Sequence, residues 1–247
     1  MAVSERPSID LSEDAMAWSG KFSEAELQAG REKELQNMLD FDAFEKVEVL
    51  PAGQKAYDMV WVDEWCGGAV RSRLCVRQFK AEQARDDIFA GTLETFFMRY
   101  LVAKAATEFD MGILIVDISV AFMHARTDED IYVKPPRDVK SSPFWKLKAA
   151  INGTRKASQQ WQDYSAEKMQ EMGFERSDLN PCIYRDPERD LIGGRAWRRL
   201  LDHREDQGPG RVEAQVRETL LGQASGDRSD CARVRSRRAL PQEEDLC

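Results

Sequence analysis

The chain has 247 residues, of which 42% are hydrophobic, and a formal net charge of −8 at pH 7. This length suits one large or two small domains, and no apolar run approaches the roughly 18 residues of a membrane span. The first residues lack the basic and apolar regions of a secretory signal, so we expect an intracellular protein of the cytoplasm or nucleus. The acidic balance does not indicate nucleic-acid binding, although a local basic strip is enough to form a binding cleft.

The cysteine spacing argues against two classes of site. The cysteines are widely scattered and contain no C-x-x-C pair, which is unlike a zinc site or a disulfide framework and favours a reducing compartment. They are Cys66, Cys75, Cys182, Cys231 and Cys247.

The first predicted element is a helix over about 24–39. Ser23 and Glu26 have the spacing of a capping box, and apolar residues then recur at roughly helical spacing. Residues 41–50 continue into a possible short strand before the chain turns at Pro51.

A β-hairpin is predicted next. Residues 59–65 are rich in β-branched and aromatic side chains, and Gly67-Gly68 is a hairpin turn signal. The second strand covers 69–77.

Three arginines alternate along this second strand, so Arg71, Arg73 and Arg77 project from one face. Guanidinium groups offer bidentate forks to phosphate, which makes the strand a candidate phosphate-binding element. The alternative is a solvated strand face with no ligand.

A second helix is predicted from Thr92 to before Asp110, with one apolar side. That side comprises Phe96, Phe97, Tyr100, Leu101 and Ala105.

The helix leads into the stretch that carries the chemistry. Residues 113–116 read as a strand buried on both faces, and it ends on Asp117, with Phe122 five residues later. A rigid strand that presents one carboxylate can hold a metal ligand. An Asp in this position can also simply cap the next turn or helix.

The remaining elements follow at short intervals. A strand at 131–133 stops at Pro135-Pro136, and a helix over about 154–172 ends at Gly173, its natural C-cap. Residues 174–184 include another strand entry.

Together these motifs resemble the reverse transcriptase domain of Ty1/copia-type retrotransposon Pol polyproteins, over roughly residues 31–186. The matching segments, in order, are Arg71–Phe79, Val116–His124, Asp130–Pro136, Leu147–Gly153 with Trp161 eight positions later, and Asn180–Tyr184 after Gly173-Phe174.

The resemblance implies an α+β fold with partial fingers and palm, in which an antiparallel sheet is backed by helices. It implies Asp117 as the first Mg²⁺ ligand and catalytic carboxylate, and Phe122 as the steric gate under the incoming sugar. Arg71 and Arg73 would contact the triphosphate, and Gly153 would let the backbone approach the nucleotide. The implied partners are an RNA/DNA primer–template and dNTPs, with no membrane.

Some positions depart from the family pattern within these motifs. The family usually has Leu and Gly at Met123 and Ala125. It usually has Tyr, Leu, Gln and Pro at the positions of Asn152, Thr154, Lys156 and Ser158.

The larger departure is a missing motif. The family palm carries an Asp-Asp turn soon after the segment that ends at Tyr184, and no Asp-Asp pair occurs downstream of that residue here. One carboxylate does not hold two magnesium ions in the required geometry. The sequence therefore predicts a domain that is catalytically inactive as it stands.

The composition changes at the same place, because all 11 basic residues after residue 190 are arginine. Synonymous codons can be chosen for residues 191–204 such that deleting one base in the Gly194 codon shifts the reading frame. The shifted frame then encodes Leu-Ile-Gly-Val-Val-His-Gly-Asp-Asp-Phe-Trp-Ile-Thr. We therefore hypothesise three segments: a loose lead-in (1–30), reverse transcriptase-like fingers and partial palm (31–186), and a frameshifted, largely disordered tail (187–247). The strand ending at Asp117 would then have an unpaired edge, and residues 212–221 are a possible isolated helix.

Three functions remain open on the sequence alone. The chain is a reverse transcriptase domain fragment by descent, a non-catalytic remnant that still binds nucleic acid, or an acidic α+β interaction domain whose motif match is coincidental.

Overall fold

The computed structural model describes residues 8–9, 22–78, 90–107, 111–194, 199–204 and 232–237. At 8–9, 111–117, 199–204 and 232–237 the description covers the backbone alone. The chain divides into two compact units, one of Met1–Ile88 with Phe122–Trp161 and one of Phe89–Ala121 with Gln162–Cys247. None of the helices in the described part of the chain is both long and apolar enough to cross a membrane.

The structure is a mixture of helices and sheets, as an α+β class requires. The described helices are α1 (Glu24–Asp40), α2 (Thr95–Thr107) and α3 (Ala157–Glu171), with a 3₁₀ turn at Ala121–His124. The described strands are β1 (Ser8–Ile9), β2 (Phe44–Val47), β3 (Ala56–Cys66), β4 (Ala69–Val76), β5 (Met111–Ile118), β6 (Tyr132–Lys134), β7 (Val139–Lys140), β8 (Phe144–Leu147), β9 (Glu175–Arg176), β10 (Ile183–Asp186), β11 (Leu191–Gly194), β12 (Arg199–Arg204) and β13 (Ala232–Arg237).

The first unit is organised around a five-stranded sheet in the order β2-β8-β6-β3-β4. Its neighbours pair antiparallel except β3 with β6, which pair parallel. The β3–β4 hairpin turns at Gly67-Gly68, where both residues have positive φ, so the predicted hairpin is confirmed. Alternate apolar residues of the strands enter the core, which includes Met38, Leu74, Val133, Trp145, Leu147 and Ile151.

Helix α1 begins as the sequence predicts. The amide of Glu26 donates to the Ser23 hydroxyl at 3.3 Å, and the Ser23 amide donates to the Glu26 carboxylate at 2.9 Å. These two bonds are the capping box, which satisfies amides that have no partner inside the helix. The carboxylate's hydrogen bonds to Ser23 also lower the pKa of Glu26.

The buried face of α1 carries charge as well as apolar groups. Leu27, Leu35 and Met38 are buried there together with Arg31 and Glu34. Two charged residues on a helix face that packs against a sheet need specific partners, since unpaired burial of charge is expensive.

Arg31 has such partners. Its guanidinium donates to Asp63 and to Asp138, each at 2.8 Å, and lies 5.2 Å from the ring centroid of Trp61. The Trp61 indole also donates to Asp138, at 2.9 Å. This buried network links α1, β3 and the segment before β7.

The second unit contains two three-stranded sheets, β11-β10-β9 and β12-β5-β13. Both edges of β5 are paired antiparallel, by β12 and by β13. The prediction that the strand ending at Asp117 has an unpaired edge is therefore wrong, because two strands from the arginine-rich tail occupy both edges.

Other predictions need smaller corrections. Helix α2 begins at Thr95 rather than Thr92. Its predicted single apolar side is only partly buried, because Leu101 and Ala105 are buried while Phe96 is 77% exposed. The strand predicted within 41–50 is confined to β2, and β8 was not predicted.

Helix α3 is confirmed with shorter bounds, and Gly173 ends it with φ +93°. The predicted helix at 212–221 lies outside the described residues, as do 195–198, 205–231 and 238–247, so disorder of those stretches stays a prediction. The described parts of the predicted tail include the strands β11, β12 and β13.

Candidate functional site: an arginine-bearing edge strand

Strand β4 presents the predicted arginines on one face. Along β4 and the residue that follows it, buried positions at Val70, Ser72, Leu74 and Val76 alternate with more accessible positions at 71, 73, 75 and 77. Arg71, Arg73 and Arg77 therefore share the accessible face, as the sequence predicts.

This face is not purely cationic. The Arg73 guanidinium donates to the Glu64 carboxylate of β3 at 2.6 Å, and Arg71 is opposite Glu64 in the register. The Glu64 side chain is 45% exposed, and such an exposed pair contributes little to stability. The carboxylate that pairs with Arg73 is therefore within reach of solvent, while Arg73 itself is less exposed, at 24%.

Strand β4 is also the outer strand of its sheet, so its free edge needs other partners. The Leu74 amide donates to the buried carboxylate of Glu34 on α1, at 3.4 Å. Further along, the Val76 amide donates to the carbonyl of Asn152, at 2.8 Å. Helix α1 and the loop at 152–155 thus close the edge of the strand that bears the arginines.

Gly153 allows that loop to approach. Its φ is +87°, and a side-chain carbon there would collide with the backbone carbonyl of Val76. The amide of Arg155 donates to the side chain of Gln78 at 2.8 Å, which extends the contact beyond the end of β4. The structure therefore brings Gly153 to the strand that bears Arg71 and Arg73. A glycine is required at this position because a side chain would collide with the backbone of Val76.

Phe122 lies in the 3₁₀ turn at Ala121–His124 and is half-buried, with its carbonyl accepting from the Ala125 amide at 3.0 Å. It belongs to the same unit as Arg71, Arg73 and Gly153. Its role as a steric gate stays a prediction.

Sequence reasoning missed Glu34. The available signal was its place in the helical pattern, since it lies on the same face as Leu27, Leu35 and Met38. Burial raises the pKa of its carboxyl group, and the Leu74 amide, Asn37 and the positive charges of Arg71 and Arg73 partly oppose that effect.

Asp117 occupies a different setting. It is near the end of β5, where its register partners are Arg199 on β12 and Arg233 on β13. Directly opposed residues of antiparallel strands share a face, so Asp117 stands between two arginine positions on one face of this sheet.

A pair of magnesium ions needs several fixed carboxylate oxygens, and the strand positions directly opposite Asp117 are arginines in this sequence. Among the described residues, no group of three His, Cys, Asp or Glu side chains is arranged to hold a metal ion.

The comparisons with known proteins agree with the motif order. Residues 42–193 match the family described as reverse transcriptase (RNA-dependent DNA polymerase). The chain belongs to this family, so a coincidental motif match is excluded.

Within the family, the chain is a copia-type reverse transcriptase fragment. It is similar to the retrovirus-related Pol polyprotein from transposon TNT 1-94 of tobacco (Nicotiana tabacum), with 24% identity over 171 residues. That alignment covers 64% of this chain and 13% of the tobacco protein. The chain thus spans a small part of the length of its relative.

Proposed function

We propose that this fragment binds nucleic acid through the arginine face of β4 but does not extend a primer. In this proposal the first unit corresponds to the fingers and the β5 sheet to part of the palm. Arg71 and Arg73 contact phosphate, with Phe122 and Gly153 in their family roles beside the nucleotide. The ligands are an RNA–DNA primer–template and, more weakly, dNTPs.

The observation that carries the proposed inactivity is the absence of an Asp-Asp pair downstream of Tyr184, and the strand positions opposite Asp117 are arginines rather than acids. Phosphoryl transfer by two metal ions requires carboxylates that clamp both ions. The chain supplies no Asp-Asp pair downstream of Tyr184 that could provide the further carboxylates.

The binding half is supported by the composition and exposure of the β4 face. Guanidinium groups recognise phosphate oxygens in bidentate geometry, and the partner of Arg73 is an exposed carboxylate. Such contacts release counterions from the nucleic acid, so the affinity must fall steeply with salt.

Two measurements test the proposal. Primer extension with Mg²⁺ or Mn²⁺ should give no product, and incorporation that is lost in Asp117→Asn would overturn inactivity. Binding of a labelled RNA–DNA hybrid should weaken in Arg73→Ala, with the slope of log affinity against log salt reduced by about one.

The matched control for binding is Arg126→Ala. Arg126 is an exposed arginine of the same unit that bonds the carbonyl of Asp42 and lies away from β4 in the sequence. If Arg126→Ala and Arg73→Ala weaken hybrid binding equally, the β4 site is wrong and only general charge remains.

A further inference from the structure

Glu34 lies behind the arginine face, at the closed edge of β4. It is 6% exposed, and its carboxylate accepts from the Leu74 amide, the peptide nitrogen that directly follows Arg73. The approach of α1 is close: a side-chain carbon at Gly30 would fall 2.8 Å from the Val70 carbonyl oxygen. Glu34 is therefore buried between α1 and the strand, with its carboxylate against the backbone of β4.

The surroundings of Glu34 shift its pKa in opposite directions. Burial raises its pKa, while the charges of Arg71 and Arg73 act to lower it. The Cys75 thiol responds to the same carboxylate, since burial and then the charge of Glu34 raise its pKa. The carboxylate of Glu34 thus interacts electrostatically with Arg71, Arg73 and Cys75, which lie on the same face of β4.

We propose that Glu34 sets the affinity of the β4 arginines for phosphate. The ionised carboxylate compensates part of the positive charge of Arg71 and Arg73 from behind the strand. When the carboxylate is protonated this compensation is lost, so the arginines attract a bound polyanion more strongly. Glu34 acts as a positioning and charge-balancing residue with no contact to the ligand. The inference rests on the proposed function, because it assigns a regulator to the same binding face.

The other charged groups around Glu34 do not duplicate this role. Arg31, one turn earlier on α1, is held by Asp63 and Asp138. On β3, Glu64 pairs with Arg73 but is on the accessible face. On β4, a Cys75 thiol with a raised pKa stays neutral through the acidic range. Asn37 bonds the carboxylate but does not titrate.

The experiment measures binding of a labelled RNA–DNA hybrid from about pH 5 to about pH 8 at constant ionic strength. Phosphodiesters remain ionised throughout this range, so the probe itself does not titrate. The wild-type affinity should rise as the pH falls through the raised pKa of Glu34, by about fivefold once its carboxylate is protonated.

Glu34→Gln should bind about fivefold more tightly than wild type at the upper end of the range. It should also lose the wild-type pH dependence that Glu34 contributes. Glutamine keeps an acceptor for the Leu74 amide, so the fold is preserved. The matched control is Glu32→Gln, which removes an exposed carboxylate two residues away and should leave the profile unchanged.

The outcomes separate the inference from the function on which it rests. If Arg73→Ala binds like wild type at every pH, the β4 site fails. If Arg73→Ala weakens binding while Glu34→Gln retains the wild-type affinity and pH profile, the role of Glu34 alone is refuted. A gain in Glu32→Gln equal to that in Glu34→Gln also refutes it, because net charge would then explain the effect.

Discussion

The backbone of Gly153 packs directly on the backbone of Val76 at the end of β4. A side-chain carbon at 153 would come within 3.0 Å of the Val76 nitrogen and 3.1 Å of its carbonyl carbon, and would collide with the carbonyl oxygen. The neighbouring Asn152 carbonyl accepts from the Val76 amide. This contact closes the free edge of the strand, so it supports the arginine face structurally.

Replacement of Gly153 by alanine should therefore destabilise the first unit. Alanine at φ +87° costs about 1–2 kcal/mol, and the clash with backbone atoms adds about 1–3 kcal/mol. Urea unfolding should show the combined loss in free energy of unfolding, together with weaker hybrid binding.

Gly53→Ala is the matched control. Gly53 has φ +82°, but no atom lies within 4 Å of the position that a side-chain carbon would take there, so the variant should show the conformational part alone. Equal losses at the two positions would contradict the close contact with Val76.

Local signals predicted much of the fold. The capping box at Ser23, the turn at Gly67-Gly68 and the end of α3 at Gly173 depend on neighbouring residues, and the structure has all three. The shared face of Arg71, Arg73 and Arg77 could also be predicted, because side chains alternate between the two faces of a strand.

Contacts between segments that are distant in the sequence could not be predicted from local patterns. The closure of the β4 edge depends on Glu34, which is 40 residues from Leu74 in sequence. Strand β5 pairs with two strands of the tail, and the composition of that tail alone suggested that it was largely unstructured. Register between distant strands is set by tertiary packing, which local patterns do not contain.

The buried network of Arg31 gives a second prediction. Arg31→Met removes the cation that compensates Asp63 and Asp138, whose side chains are only 4% and 2% exposed. Buried carboxylates without their cation should lower the free energy of unfolding by about 3–5 kcal/mol. Chemical denaturation near neutral pH measures this loss.

Lys146→Met serves as its control. Lys146 pairs with Asp130 at 2.6 Å, but the Asp130 side chain is 62% exposed. Loss of an exposed pair should change stability by less than about 1 kcal/mol. A similar loss in both variants would show that Arg31 contributes no more than a surface ion pair.

A third prediction concerns the pH dependence of stability. The pKa of Glu34 is raised in the folded state, so the folded chain binds more protons than the unfolded chain between the ordinary and the raised value. The free energy of unfolding therefore falls as the pH rises through this window, and the penalty is complete above the folded pKa.

Glu34→Gln should remove this contribution. The difference in stability between the variant and wild type should grow in favour of the variant as the pH rises through the window, then level off. Unfolding in urea at a series of pH values measures it. A difference that stays constant with pH would mean that Glu34 titrates alike in both states.

The last prediction concerns Val120, which separates Asp117 from Phe122. Val120 has φ +46°, a left-handed conformation that is unfavourable for a β-branched residue. It forms the turn between β5 and the 3₁₀ turn at Ala121–His124. Val120→Gly should relieve about 1–2 kcal/mol of strain, of which the greater freedom of glycine in the unfolded chain offsets about 0.5–1 kcal/mol.

The net expectation is a gain of about 0.5–1 kcal/mol in free energy of unfolding for Val120→Gly. Asp190→Gly is the comparison, because Asp190 has φ +50° in the same unit and aspartate tolerates this conformation better than valine. The aspartate variant should gain less or lose stability. If Val120→Gly is the less stable of the two relative to wild type, the prediction is wrong. Packing of the valine side chain would then contribute more to stability than the backbone strain at this residue removes.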